Sequence, residues 1–158
     1  MRLRHCGDLL LFIMLSTVLI AESVDAGVTK LNGELVIGGY VSFDDLQFSP
    51  DGSMVLYQAV QEIAGVKNIY SVPSSGETAV QLNGELVAGG SVFHSGNQFS
   101  PDGSRVLYIA DQDIDDVCEI YSVSSLGGVP VKLNTELAAG GEVEYRGLQF
   151  SPDGSRVL

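Results

Sequence analysis

Short apolar runs separated by polar turns dominate the chain after residue 26, and no stretch there has the 3.6-residue apolar period of a helix. The runs are rich in Val, Ile, Leu and Tyr, a composition that favours strands. One set of four runs predicts strands at residues 46–49, 53–60, 68–72 and 79–83. A Ser-Pro-Asp-Gly turn lies between the first two, because Pro presets φ and Gly accepts the closing position. The pattern therefore predicts an all-β chain.

The same pattern returns every 51 residues. The pentapeptide FSPDG begins at Phe48, Phe99 and Phe150, and roughly three in five positions are identical between the first two units. A fixed period in this range is typical of stacked units, each of which needs a neighbour to cover its apolar face. We therefore predict repeats at 30–80, 81–131 and 132–158, each complete one a four-stranded antiparallel sheet.

The segments FSPDGSRVLY and EIYSV resemble the TolB-type β-propeller repeat, a relative of the WD-repeat blade, and the resemblance covers residues 30–158. It implies about two and a half blades of four antiparallel strands, an incomplete propeller, since propellers close with about 4–8 blades. The period exceeds the roughly 40–45 residues of a usual blade, and the surplus lies in GELVAGGSVFHSG. We therefore expect a fragment of a longer protein. The alternative is a ring assembled from several copies through open blade edges.

The first 26 residues have the layout of a secretory signal peptide. Arg2 and Arg4 precede an apolar run at 9–20, and small residues follow before a predicted cleavage after Ala26. A run of this length is too short for a membrane span, which needs about 20 apolar residues. We predict a periplasmic or secreted product, with no transmembrane segment after cleavage, whose residues 27–158 form the partial propeller.

The net charge of −12 argues against nucleic acid or an anionic membrane as partner, because phosphates would be repelled. After residue 26 the chain has one histidine, His94, and one cysteine, Cys118. It carries no GxSxG or HExxH motif, so we predict a protein without catalytic activity.

Closely spaced carboxylates in ADQDIDDVCE make Asp111, Asp113 and Asp115 candidate calcium ligands, with Asp116 beside them. The EF-hand pattern fails, because its sixth position holds Asp116 instead of Gly and its twelfth holds Ser122 instead of Glu. The alternative is a solvated hairpin loop. No other cofactor is predicted.

Three glutamates recur in the LNxEL segments: Glu34, Glu85 and Glu136. Connections between propeller blades line one face of the ring, so these carboxylates are candidates for a binding face that attracts cations or a basic peptide. The alternative is structural, with Asn and Glu completing a turn through bonds to backbone amides.

The resemblance implies an exported scaffold that binds a protein or peptide in the cell envelope. One alternative is the propeller portion of a prolyl-oligopeptidase-like secreted peptidase, in which such a propeller restricts substrate access. Another alternative is a calcium-stabilised surface repeat protein.

Overall fold

The computed structural model describes residues 28–42, 44, 46–138, 141, 143 and 147–158. These residues form two antiparallel sheets and contain no helix, which confirms the predicted all-β class. Within these ranges no helix has the length and apolar character that a membrane span requires. The predicted signal peptide at 1–26 lies outside the described residues.

Each sheet is an antiparallel meander built from one repeat and the start of the next. The first sheet contains β1 (Tyr40–Val41), β2 (Gln47–Phe48), β3 (Met54–Val60), β4 (Asn68–Pro73) and β5 (Val80–Gln81). The second sheet contains β6 (Gln98–Phe99), β7 (Arg105–Ala110), β8 (Glu119–Ser124) and β9 (Val131–Lys132).

The first sheet has one strand more than the predicted four. β1 pairs with the far end of β3, where Tyr40 lies opposite Val60, while β2 pairs with the near end of the same edge. In the second sheet, Val92 makes a single bridge to Ala110 at the position equivalent to β1. The surplus residues between repeats therefore extend the edge of the next sheet.

The Ser-Pro-Asp-Gly segment forms the predicted turn between β2 and β3. The Gly52 amide donates to the Ser49 carbonyl at 2.8 Å, and Gly52 has a φ of 74°, which favours glycine. One oxygen of Asp51 accepts bonds from the Ser49 hydroxyl at 2.6 Å and the Ser53 amide at 3.0 Å. The same bonds recur around Asp102 and Asp153.

The main apolar core lies between the two sheets. Its residues alternate along the strands, so one face of each sheet contributes to it. The tyrosines at its centre, Tyr108 and Tyr121, stack with ring centroids 5.3 Å apart. The first sheet supplies Leu56 and Ile69, and the residues between the two sheets supply Leu82 and Val92. The second sheet supplies Phe99, Val106, Tyr108, Ala110, Tyr121 and Val123.

The outer face of the first sheet repeats the tyrosine stack. Tyr57 and Tyr70 lie opposite each other on β3 and β4, with ring centroids 5.3 Å apart, and both are buried. Both faces of β3 and β4 are thus buried, in agreement with the nearly unbroken apolar run of β3.

Hydrogen bonds between repeats recur at the same period as the sequence. The Gln47 side-chain amide donates to the Asn97 carbonyl at 2.8 Å, and the Gln98 amide donates to the Leu148 carbonyl at 2.7 Å. The first bond joins β2 to the residue just before β6, and the second joins β6 to the equivalent residue one period later. Successive repeats therefore meet in the same way twice.

The hairpin turns of successive repeats also contact each other. A Cβ placed on Gly103 would lie 3.5 Å from Cδ of Pro50, and one on Gly154 would lie 3.6 Å from Cδ of Pro101. The conserved spacing of the turn residues thus serves the contact between repeats as well as the turn itself.

We predict that the turn aspartates stabilise the fold only above strongly acidic pH. The Ser49 hydroxyl, together with the Ser53 amide, lowers the pKa of Asp51 from 3.8 to about 2, and Asp102 and Asp153 show the same shift. A lowered pKa means that the contribution is complete above 3.8 and is lost as pH falls through about 2. Replacing all three by Asn should lower the melting temperature at pH 5 and change it little at pH 2.

The control for this prediction is Glu77→Gln, which removes an exposed loop carboxylate. Its melting temperature should follow that of the unsubstituted chain at both pH values. An equal loss in the triple variant at pH 5 and pH 2 would show that the turns do not depend on the ionised carboxylates.

We predict unequal costs for two equivalent leucines. Leu82 and Leu133 make the same backbone bond to the neighbouring strand, but Leu82 is 1% exposed and Leu133 is 42% exposed. Leu82→Ala should lower the free energy of unfolding by about 2–5 kcal/mol, because it leaves a cavity between the sheets. Leu133→Ala should cost less than about 1 kcal/mol. Urea denaturation of both variants measures the difference, and similar costs would contradict the described packing.

Candidate functional site

The linking segment, residues 82–92, carries the chain from the first sheet to the second. Asn83 anchors its start: its side-chain oxygen accepts the Ile69 amide at 3.0 Å, and its side-chain nitrogen donates to the Asn68 side chain at 2.9 Å. The same device recurs one period later, where the Asn134 side chain accepts the Ile120 amide at 2.8 Å. The asparagine of LNxEL therefore bonds to a backbone amide, as the structural alternative for this segment predicts.

Gln112 holds the middle of the linking segment against the second sheet. Its side-chain oxygen accepts the Gly84 amide and the Tyr108 hydroxyl, each at 2.9 Å, and its backbone carbonyl accepts the Val87 amide at 3.1 Å. A Cβ on Gly84 would come within 2.9 Å of the Gln112 amide nitrogen, so glycine permits this approach. Gln61 makes the equivalent bonds in the first sheet.

A groove of about 500 Å³ opens beside the linking segment, and we call it the linker groove. Its wall is apolar, with Ile63 at 61% exposure, and its floor carries side-chain amides. Its lining comprises Ile63, Val66, Asn68, Gln81, Asn83 and residues 84–89.

The three glutamates predicted for a binding face differ in their position relative to the linker groove. Glu34, Glu85 and Glu136 are all exposed, and no described residue donates a hydrogen bond or forms an ion pair with their carboxylates. Among the three, Glu85 lines the linker groove. The predicted ring of carboxylates stays a prediction.

Residues 111–116, which we call the acidic loop, bring together a slightly different set of carboxylates from the predicted calcium ligands. Carboxylate oxygens of Asp111, Asp115 and Asp116 all lie within 4.8 Å of one another. Asp111 is buried, and its carboxylate already accepts the Ser91 amide at 2.5 Å and the Asp116 amide at 3.3 Å. Asp113, the third predicted ligand, is engaged elsewhere.

The acidic loop packs against one end of the linker groove. Gly89, which lines the groove, has a φ of 94°, and a Cβ at this position would lie 2.6 Å from an Asp115 oxygen. The equivalent glycine one period earlier, Gly38, has open space around it. Carboxylates of the acidic loop thus border the end of the groove at which Gly89 lies.

Lys132 ties the acidic loop to the second sheet through two carboxylates. Its ammonium group lies 2.8 Å from Asp113 and 2.9 Å from Glu119, and both raise the pKa of Lys132. Glu119 is buried, and its second oxygen accepts the Tyr121 hydroxyl at 2.9 Å. Burial first, and then the neighbouring Glu119, raise the pKa of Tyr121.

Sequence reasoning missed the two glutamines and the linker groove. Gln61 and Gln112 are identical polar residues that end apolar strands at the same position of each repeat, and this recurrence was the available signal. The groove had no such signal, because residues distant in the sequence form it.

In comparisons with known proteins, no protein-family model matches this chain and no curated protein matches it.

We predict that replacing both members of the Lys132–Glu119 pair costs less stability than replacing Lys132 alone. Lys132→Gln alone leaves Glu119 buried without its cation and should lower the free energy of unfolding by about 1–3 kcal/mol. Adding Glu119→Asn reproduces Asn68 and Gln81 of the first sheet, so the double variant should recover to within about 1 kcal/mol. Denaturant unfolding tests this prediction, and a double variant no more stable than the single one would contradict it.

Proposed function

We propose that the chain belongs to an exported, non-catalytic β-propeller scaffold that binds a protein or peptide partner. The observation that carries the binding role is the linker groove, in which Ile63 and Glu85 are exposed and the Glu85 carboxylate has no hydrogen bond or ion pair with a described residue. Its volume of about 500 Å³ falls within the usual range of about 300–1,000 Å³ for ligand sites. Export rests on the pattern of the first 26 residues.

The recurrence of the contacts between repeats supports the propeller part of this proposal. In an array of identical units each interface repeats the one before it, as the bonds from Gln47 and Gln98 do. Leu82 is covered by the second sheet, whereas its equivalent Leu133 borders a cleft of about 450 Å³. A further unit of the same kind would cover Leu133, supplied by a longer chain or by self-association.

The test of the binding role is selection of random displayed peptides on the full chain, followed by affinity measurement on matched variants. Enriched peptides should bind about tenfold more weakly to Ile63→Asp, which places a charge on the apolar wall of the groove. Ile114→Asp is the control, because Ile114 has the same loop position one period later and is 59% exposed. No enrichment, or equal binding to both variants, would overturn the proposal.

A calcium-stabilised repeat protein is the second candidate, favoured by the proximity of Asp111, Asp115 and Asp116. We predict that calcium raises the melting temperature and that Asp115→Asn combined with Asp116→Asn abolishes this rise. Asp113→Asn should retain it, because Asp113 is paired with Lys132. Identical melting curves with and without calcium would exclude this candidate.

A further inference from the structure

The two sheets share the same glutamine bonds to the chain that leads into them, but they differ in the polar and charged side chains nearby. Among the positions that differ between the two sites, Glu62 corresponds to Asp113, Asn68 to Glu119 and Gln81 to Lys132. Gln81 and Lys132 have the same place in the sheet, since each lies opposite a tyrosine, Tyr70 or Tyr121. The first sheet therefore lacks a cation at a place where the second sheet has one.

In the second sheet the cation is part of the chain. The Lys132 ammonium lies between Asp113 and Glu119, at 2.8 and 2.9 Å, and the Tyr121 hydroxyl donates to Glu119. Each polar group of this set has a partner. The arrangement shows that this position in the repeat accommodates an ammonium group.

In the first sheet the equivalent polar groups, Glu62, Tyr70 and Gln81, lack the ionic and hydrogen-bond partners of the second sheet. Gln81 donates only to the Asn83 carbonyl, at 3.3 Å, and the described residues offer no cation to the exposed Glu62 carboxylate. The Tyr70 hydroxyl is buried and has no hydrogen-bond partner. Burial, and then the charge of Glu62, raise the pKa of Tyr70 to about 12. Glu62 has the place in its repeat that Asp113, a partner of Lys132, has in the second sheet.

The linker groove supplies the remaining features of a site for a long basic side chain. Ile63 and Leu86 offer apolar surface along which a lysine or arginine stem can lie. Glu85 lines the same groove, and Glu62 directly precedes Ile63. The net charge of −12 would also attract a cationic partner before contact.

On the basis of the proposed binding role, we propose that the linker groove binds an extended peptide segment through a lysine or arginine. The charged group of that residue takes the position near Glu62 and Gln81 that Lys132 supplies internally in the second sheet. The aliphatic part of that side chain packs on Ile63 and Leu86. Glu85 contacts a second basic residue of the peptide or the same charged group.

The experiment uses the full chain labelled with ¹⁵N and an acetylated, amidated tetralysine peptide as the probe. Amide shifts should concentrate at residues 84–89 and near Asn68, and binding should weaken as salt rises from about 50 to about 300 mM. Combining Glu62→Gln with Glu85→Gln should weaken binding by about fivefold or more. Glu34→Gln is the control, because it removes the equivalent LNxEL carboxylate outside the groove.

A second variant closes the site without removing a carboxylate. Asn68→Glu combined with Gln81→Lys installs the internal pair of the second sheet, so it should abolish the shifts at residues 84–89. Equal tetralysine affinity for the Glu62/Glu85 variant and for Glu34→Gln would overturn the inference, since it would mean unspecific attraction to an acidic surface. So would shifts centred on the acidic loop.

The proposed binding role can fail or stand independently of this result. If peptides selected by display bind the groove but tetralysine and triarginine do not, the scaffold role stands and the preference for basic segments is wrong. If no displayed peptide is enriched and tetralysine leaves the groove amides unshifted, both proposals fail.

Discussion

The second sheet packs against the first and removes Leu56, Ile69 and Leu82 from water. Its Tyr108 and Tyr121 belong to the same apolar core. A single four-stranded sheet has too little apolar surface on one face to hold itself together, so each repeat depends on a neighbour. The hydrogen bonds between repeats, the contacts between turns and the path of the linking segment are all consistent with this one packing arrangement.

Polar side chains then decide how the chain passes from one sheet to the next. Asn83 secures the departure from the first sheet, and Gln112 holds the next residues, through the amides of Gly84 and Val87. Both side chains accept backbone amides that need a partner away from water, Ile69 near the start of β4 and Gly84 in the linking segment. Because Asn83 holds its start and the bond from the Ser91 amide to Asp111 holds its end, the linking segment stands away from the loop that carries Ile63. The space between them is the linker groove.

The repeats conserve this frame while their charged residues vary. The Tyr–Tyr stacks, the serine–aspartate turns and the glutamine bonds recur nearly unchanged, whereas Asn68 and Gln81 become Glu119 and Lys132 one period later. The same frame thus carries an ion pair at these two positions in the second sheet and two side-chain amides in the first.

The all-β class, the period, the turn and the main strands could all be predicted from the sequence, because they depend on local preferences and on repetition. Residues such as Pro50, Asp51 and Gly52 determine a turn wherever they occur together. The partners of Asp113, the grouping of Asp111 with Asp116 and the extra strand β1 could not be predicted, since each depends on where distant segments meet. The linker groove is of the same kind: Ile63, Gln81 and Glu85 become neighbours only when the linking segment folds back beside the sheet, and the tertiary structure alone decides that.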